Sequence, residues 1–223
     1  MRSSTFQIAL AEGIGTFTLI FIGVLSISHG GSEAVGSLIE VAFAHGLAIA
    51  VMVAALGAVS GGHFNPAVTF GFVASGRMSV GSAIVYWGSQ LVGATAAAML
   101  LVGLFGAGSV AVGTPAPAPE IGMAALLVLE FVATFFLVLV IFGTAVDSRA
   151  PAGVYPLAIG LTITLGALAI GPMTGAALNP ARAFGPALAS GTWSVHWAYW
   201  VAPLLGGAVA GLIADRIFLP KES

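Results

Sequence analysis

The chain has no cysteine, so it forms no disulfide and offers no thiol, and its compartment cannot be read from redox usage. Charge is almost as scarce: 6 lysines and arginines and 8 aspartates and glutamates among 223 residues. A net charge of −2 gives no electrostatic footprint for nucleic acid, and no nucleic-acid partner is expected. Apolar residues are abundant instead, at 59% of the chain with a mean hydropathy of +1.09, far from a soluble domain. Nothing near the start reads as a cleaved signal peptide, because the first apolar run carries Glu12 and recurs later in the chain.

Six runs long enough to cross a bilayer lie near 6–28, 38–58, 80–105, 121–142, 154–171 and 195–218. Glu12, Glu40 and Glu130 fall within the first, second and fourth, and the fifth is short. Short connections between them predict one all-α membrane domain over 1–223. Outside the suspected pore region, the basic residues are Arg2, Arg77, Arg149, Arg216 and Lys221. They fall before span 1, after spans 2 and 4, and after span 6, whereas connections 29–37 and 106–120 carry only Glu33 and Glu120. The positive-inside rule then puts both termini in the cytoplasm.

The two halves repeat one another. Glu12 through Phe17 answers Glu130 through Phe135; Gly46-Leu47 answers Gly160-Leu161; Ser60-Gly61 answers Thr174-Gly175; Trp87 through Ala94 answers Trp200 through Gly207. Repeat one covers about 6–105 and repeat two about 121–218, with 106–120 as linker. Three spans per half is an odd number, so the second half inserts upside down as an inverted 3+3 repeat. Small residues at Gly46, Ala50, Ala54 and Ala58, and at Gly207 and Gly211, suit close helix approach.

Asn65-Pro66-Ala67 and Asn179-Pro180-Ala181 stand at corresponding points of the repeats, each in a Gly-rich stretch between apolar runs. Asn caps a helix and Pro favours its first turn, so each triplet predicts the start of a short re-entrant half-helix. The inverted halves bring the two starts together from opposite faces, a device tolerated at membrane depth only where protein buries it or it lines water. Each Asn offers side-chain N–H groups to a passing water, which interrupts a proton-hopping file. Each helix end adds roughly half a positive charge, worth about 1.7 kcal/mol against a cation at ~5 Å and an effective dielectric of ~20. Carbonyls of 60–64 and 174–178 are expected along one wall. Arg182, costly in lipid, is expected at a wet pore mouth, where it repels cations.

Both Asn-Pro-Ala boxes, the paired Glu12 and Glu130, Arg182 after the second box and the repeat spacing make the chain resemble the major intrinsic protein family of aquaporins and aquaglyceroporins, over nearly its whole length. The resemblance implies a homotetramer in which each protomer has its own pore, with half-helices at roughly 65–75 and 179–188. It implies that Glu12 and Glu130 accept hydrogen bonds from the re-entrant loops, and His63 is expected to brace a loop. By family spacing the selectivity filter is His45, Ala167, Ala176 and Arg182. That set is neither the Phe and His of a strict water channel nor the Trp, Gly and Phe of a glycerol facilitator. His45 resembles the plant vacuolar branch, and the two alanines imply a wide opening in which His45 offers a donor opposite Arg182. Ala183, Ala187 and Tyr199-Trp200 are of the water-channel type, and the connection AVGTPAPAPE lacks the histidine of ammonia-conducting vacuolar members.

The expected function is a passive water channel that excludes ions and protons and passes small neutral solutes such as urea, ammonia or glycerol. It is no enzyme and needs no cofactor or metal; its surroundings are a lipid bilayer, in a plasma or inner membrane rather than an organelle. A proton-coupled small-solute transporter is the alternative that also uses inverted repeats and broken helices, and a mainly structural or adhesive channel-like protein is a third.

Overall fold

The computed structural model describes residues 3–29 and 37–220; Arg2, Glu33 and Lys221, used above for orientation, lie outside them. Among the described residues, six helices are long and apolar enough to span a membrane. They are α1 (Thr5–His29), α2 (Leu38–Ser60), α4 (Val80–Phe105), α6 (Met123–Ile141), α7 (Tyr155–Thr174) and α9 (Ala198–Ile213). Helix α6 runs on into a π-helical turn at Phe142–Val146, and α9 into another at Ala214–Phe218. Two half-helices, α3 (Pro66–Ala74) and α8 (Pro180–Ser190), and a short α5 (Ala107–Ala111) complete the element order.

Local chemistry sets the helix ends. Ser37 and Glu40 form a reciprocal capping box at the start of α2, satisfying two otherwise unpaired N–H groups. Helices α2 and α7 stop at Gly61 and Gly175, both in the left-handed region that glycine enters without steric cost. Outward-facing Phe6, Ile84, Val92 and Leu165 remain exposed, as suits helices solvated by lipid rather than water.

In lipid no hydrophobic force draws helices together, so close packing of small residues must do it. Helix α1 packs on α4, α6 on α9, and α2 on α7 across the repeat boundary. At the α2/α7 crossing, a Cβ on Gly46 would sit 2.4 Å from the Gly160 carbonyl oxygen, and one on Gly160 would sit 2.4 Å from that of Gly46. This reciprocity is the repeat symmetry expressed as backbone contact. Gly160→Val is therefore expected to force α2 and α7 apart, with a loss of about 1–3 kcal/mol from overpacking. A lowered thermal unfolding temperature and aggregation on size-exclusion chromatography would register it; an unchanged profile would mean that the crossing separates freely.

Each half-helix packs on the third span of the opposite repeat, α3 on α9 and α8 on α4, so the halves hold each other's pore loops. One end of the bundle gathers the ion pairs Arg77–Asp215 and Arg149–Asp147, each at 2.6 Å, and Arg149 also donates to the Phe218 carbonyl at 2.7 Å. Hydrogen bonds from the Arg149 side chain and backbone lower the pKa of Asp147 to about 2.

Candidate functional site

The two Asn-Pro-Ala triplets form a reciprocal brace. Asn65 is the N-cap of α3 and accepts from the Ala67 N–H at 2.8 Å; Asn179 is the N-cap of α8 and accepts from the Ala181 and Arg182 N–H groups at 2.9 and 3.2 Å. Each side-chain amide then crosses to the other loop. Asn65 Nδ2 donates to the Leu178 carbonyl at 2.9 Å, and Asn179 Nδ2 donates to the Phe64 carbonyl at 2.9 Å. An amide NH2 has two donors. One holds the opposite loop, which leaves one on each Asn for the cavity that both residues line.

Those carbonyls are presented by unusual backbone. Phe64 and Leu178, each directly before its Asn, have φ of 48° and 51°. Left-handed φ costs a non-glycine residue roughly 1–2 kcal/mol, so the surroundings must enforce it. Two buried carboxylates do so. Glu12 accepts from Ser60 Oγ at 2.7 Å, the His63 N–H at 3.0 Å, the Phe64 N–H at 2.7 Å and Gln90 Nε2 at 2.8 Å. Glu130 accepts from Thr174 Oγ1 at 2.7 Å and from the Ala177 and Leu178 N–H groups at 2.9 and 2.8 Å. Both are wholly buried. Tyr86 and Tyr199, one helix away in each repeat, donate to the carbonyls of Ser60 and Thr174.

The repeats differ in how their loops are braced. His63 pairs through Nδ1 with Thr69 Oγ1 at 3.0 Å, and Gln90 joins the same hydroxyl at 3.2 Å, so a side-chain network braces the first loop. Repeat two has Ala177, Ala183 and Pro203 at the corresponding positions. The repeat pairs Ser60 with Thr174, whereas the sequence does not mark Thr69, Gln90 or the two tyrosines as part of the scaffold. The one available signal was the Tyr-Trp pair shared by both repeats, at Tyr86-Trp87 and Tyr199-Trp200.

His45, Ala167, Ala176 and Arg182 meet at one cavity of about 520 Å³, which extends inward to Asn65 and Asn179. Gly175 through Leu178 line it as expected, whereas the stretch 60–64 does not; its Phe64 carbonyl is taken by Asn179. Arg182 forms no salt bridge among the described residues, although the buried Glu130 carboxyl lies near enough to attract it. Its Nη1 donates to the Gly113 carbonyl at 2.8 Å, and its buried Nε has no hydrogen-bond partner among the described residues. Gly113 belongs to the stretch read from sequence as a linker. The stretch also carries α5 and supplies Ala111 through Ala116 to the cavity wall.

One ring nitrogen of His45 is already engaged. Its Nδ1 lies 2.8 Å from the Val41 carbonyl, and a carbonyl only accepts, so Nδ1 carries the proton. Nε2 is then an acceptor in the neutral ring and a second donor only in the doubly protonated one. Near the end of α8, His196 Nε2 accepts from Trp200 Nε1 at 3.0 Å, and burial pushes its pKa down.

The profile of the major intrinsic protein family matches residues 1–214. Aquaporin TIP4-4 of Zea mays is 46% identical over 221 residues, covering 95% of this chain and 86% of that protein. Aquaporin TIP2-1 of Arabidopsis thaliana is 42% identical over 218 residues, with 94% and 86% covered. Among solved structures, the X-ray structure of the aquaglyceroporin from Plasmodium falciparum superposes with a TM-score of 0.84 at 25% identity, covering 96% of this chain and 97% of that one.

Proposed function

Because the chain belongs to the major intrinsic protein family, whose members are channels and not enzymes, we propose that its pore passes water and small neutral solutes and excludes ions and protons. One arrangement carries this reading: a cavity whose rim holds Arg182 and two alanines and whose floor is the pair of opposed helix starts at Asn65 and Asn179. The small side chains of Ala167 and Ala176 leave room for a solute of urea's size. Arg182 and the two positive helix ends repel cations. Likeness to aquaporins by sequence and to an aquaglyceroporin by structure supports a range wider than water.

Glu12 and Glu130 serve as loop anchors rather than as a proton relay, since their oxygens are engaged by backbone and side-chain donors. Both termini are assigned to the cytoplasm, on the face that gathers Arg77, Arg149 and Arg216, and the protein assembles as a homotetramer with one pore per protomer. Multi-pass membrane placement stands, whereas a plasma or inner membrane is in mild tension with the TIP designation of the relatives, the branch that His45 resembles.

Stopped-flow light scattering on proteoliposomes challenged with a urea gradient tests the reading. Shrinkage much faster than in empty vesicles, followed by fast reswelling, is expected. Shrinkage no faster than in empty vesicles would overturn the channel, and shrinkage without reswelling would confine it to water. His45→Phe combined with Ala167→His narrows the mouth, and should slow urea about tenfold, some 1.4 kcal/mol in barrier, while water flow continues. Unaltered urea flux in that variant would place the filter elsewhere.

A further inference from the structure

We propose that Gly23 of α1 is a positioning residue for solute selectivity, holding the pore mouth open by giving the His45 ring a recess to lie in. The inference rests on the channel reading above and concerns the same mouth.

A Cβ built on Gly23 would stand 2.4 Å from His45 Nε2 and 2.8 Å from both Cδ2 and Cε1. Its three nearest atoms all belong to that ring. At Gly46 and Gly160, by contrast, the nearest atoms include a facing backbone carbonyl, so those glycines serve helix approach. Gly23 also lies inside a long helix, where glycine is a poor choice, and it is not among the glycines with positive φ. Neither helix propensity nor backbone conformation calls for glycine here; the ring does.

The ring is held by its near edge. Nδ1 donates to the Val41 carbonyl one turn back on α2, so the far edge, with Cε1, Nε2 and Cδ2, is the part that lies over Gly23. His45 is left only 6% exposed while still bordering the cavity. Filling the recess pushes the far edge away from α1, and the cavity that His45 borders with Arg182 is where the ring would go. In the other repeat Ile159 answers His45 and Ile141 answers Gly23, and both are buried apolar side chains.

Gly23→Ala should therefore reduce urea permeability in proteoliposomes about tenfold, an added barrier of some 1.4 kcal/mol, with a smaller loss for water. Adding His45→Ala to Gly23→Ala should return urea flux to the level of His45→Ala alone, because the ring that blocks is gone. An unchanged urea-to-water ratio in Gly23→Ala would overturn the inference. So would a double variant as closed as Gly23→Ala, since the defect would then lie in helix packing or folding and not in the ring. A wild-type protein that moves no water sinks the channel reading and this inference together. A conducting wild type with an indifferent Gly23→Ala sinks this inference alone.

Discussion

Glu130→Ala is expected to abolish water conduction and to lower the thermal stability of the purified protein sharply. The carboxylate is wholly buried and receives Thr174 Oγ1 and the Ala177 and Leu178 N–H groups. Without it the Ala177 and Leu178 N–H groups stay inside the protein unpaired, at about 1–3 kcal/mol each, while the Thr174 hydroxyl keeps the Ile170 carbonyl at 3.2 Å. Against a total folding stability of about 5–15 kcal/mol, that is a large share. The damage also reaches beyond the second loop. Leu178, held at a φ of 51° by this carboxylate, presents the carbonyl that orients Asn65. Loss of Glu130 therefore loosens the Asn of the other repeat as well. Glu130→Gln should fall between the two, since an amide keeps one acceptor oxygen but turns a donor toward a donor. Proteoliposome water permeability, with unfolding followed by heated size-exclusion chromatography, reads both effects. A Glu130→Ala protein that conducts and melts like the wild type would show that the loop is held by other contacts.

Arg182→Val is expected to turn a neutral-solute pore into one that leaks cations and protons. The guanidinium lies in the cavity wall, tied by Nη1 to the Gly113 carbonyl, attracted by Glu130 but in no salt bridge among the described residues. A full charge at ~5 Å from a permeating cation, at an effective dielectric of ~20, opposes it by about 3 kcal/mol. Removing it should raise cation passage by roughly two orders of magnitude, at about 1.4 kcal/mol per factor of ten. The helix ends at Asn65 and Asn179 stay in place, so the leak should remain far below that of an open ion channel. Water flow should persist, because the change subtracts volume and charge from the mouth and leaves both Asn braces intact. Dye-reported proton flux and potassium conductance in proteoliposomes check this. Cation flux equal to that of the wild type would assign the whole barrier to the helix ends and to dehydration.

The spans were legible because lipid leaves a buried backbone few options: a long uncharged run must satisfy its own hydrogen bonds, and a helix does so within one segment. The runs predicted near 6–28 and 80–105 appear as Thr5–Ser28 and Val80–Phe105. The half-helices were legible for an equally local reason, since Asn followed by Pro caps and starts a helix from its own side chain and ring. The share of linker 106–120 in the cavity wall was not legible. It is made by small apolar residues and a carbonyl, none of which marks itself in a sequence.

The sequence by itself thus determined the membrane class, the inverted duplication and the two half-helix starts, all properties of residues near one another in the chain or of a pattern repeated along it. Tertiary structure alone decided that each Asn spends a donor on the opposite loop, across 113 and 115 residues, and that Arg182 is tied to Gly113. It alone decided that His45 keeps its proton on Nδ1 and lies over Gly23. These arrangements hang on backbone carbonyls and on the absence of a side chain. Every residue but proline offers the same backbone groups, and an empty space acquires meaning only when folding brings something to fill it.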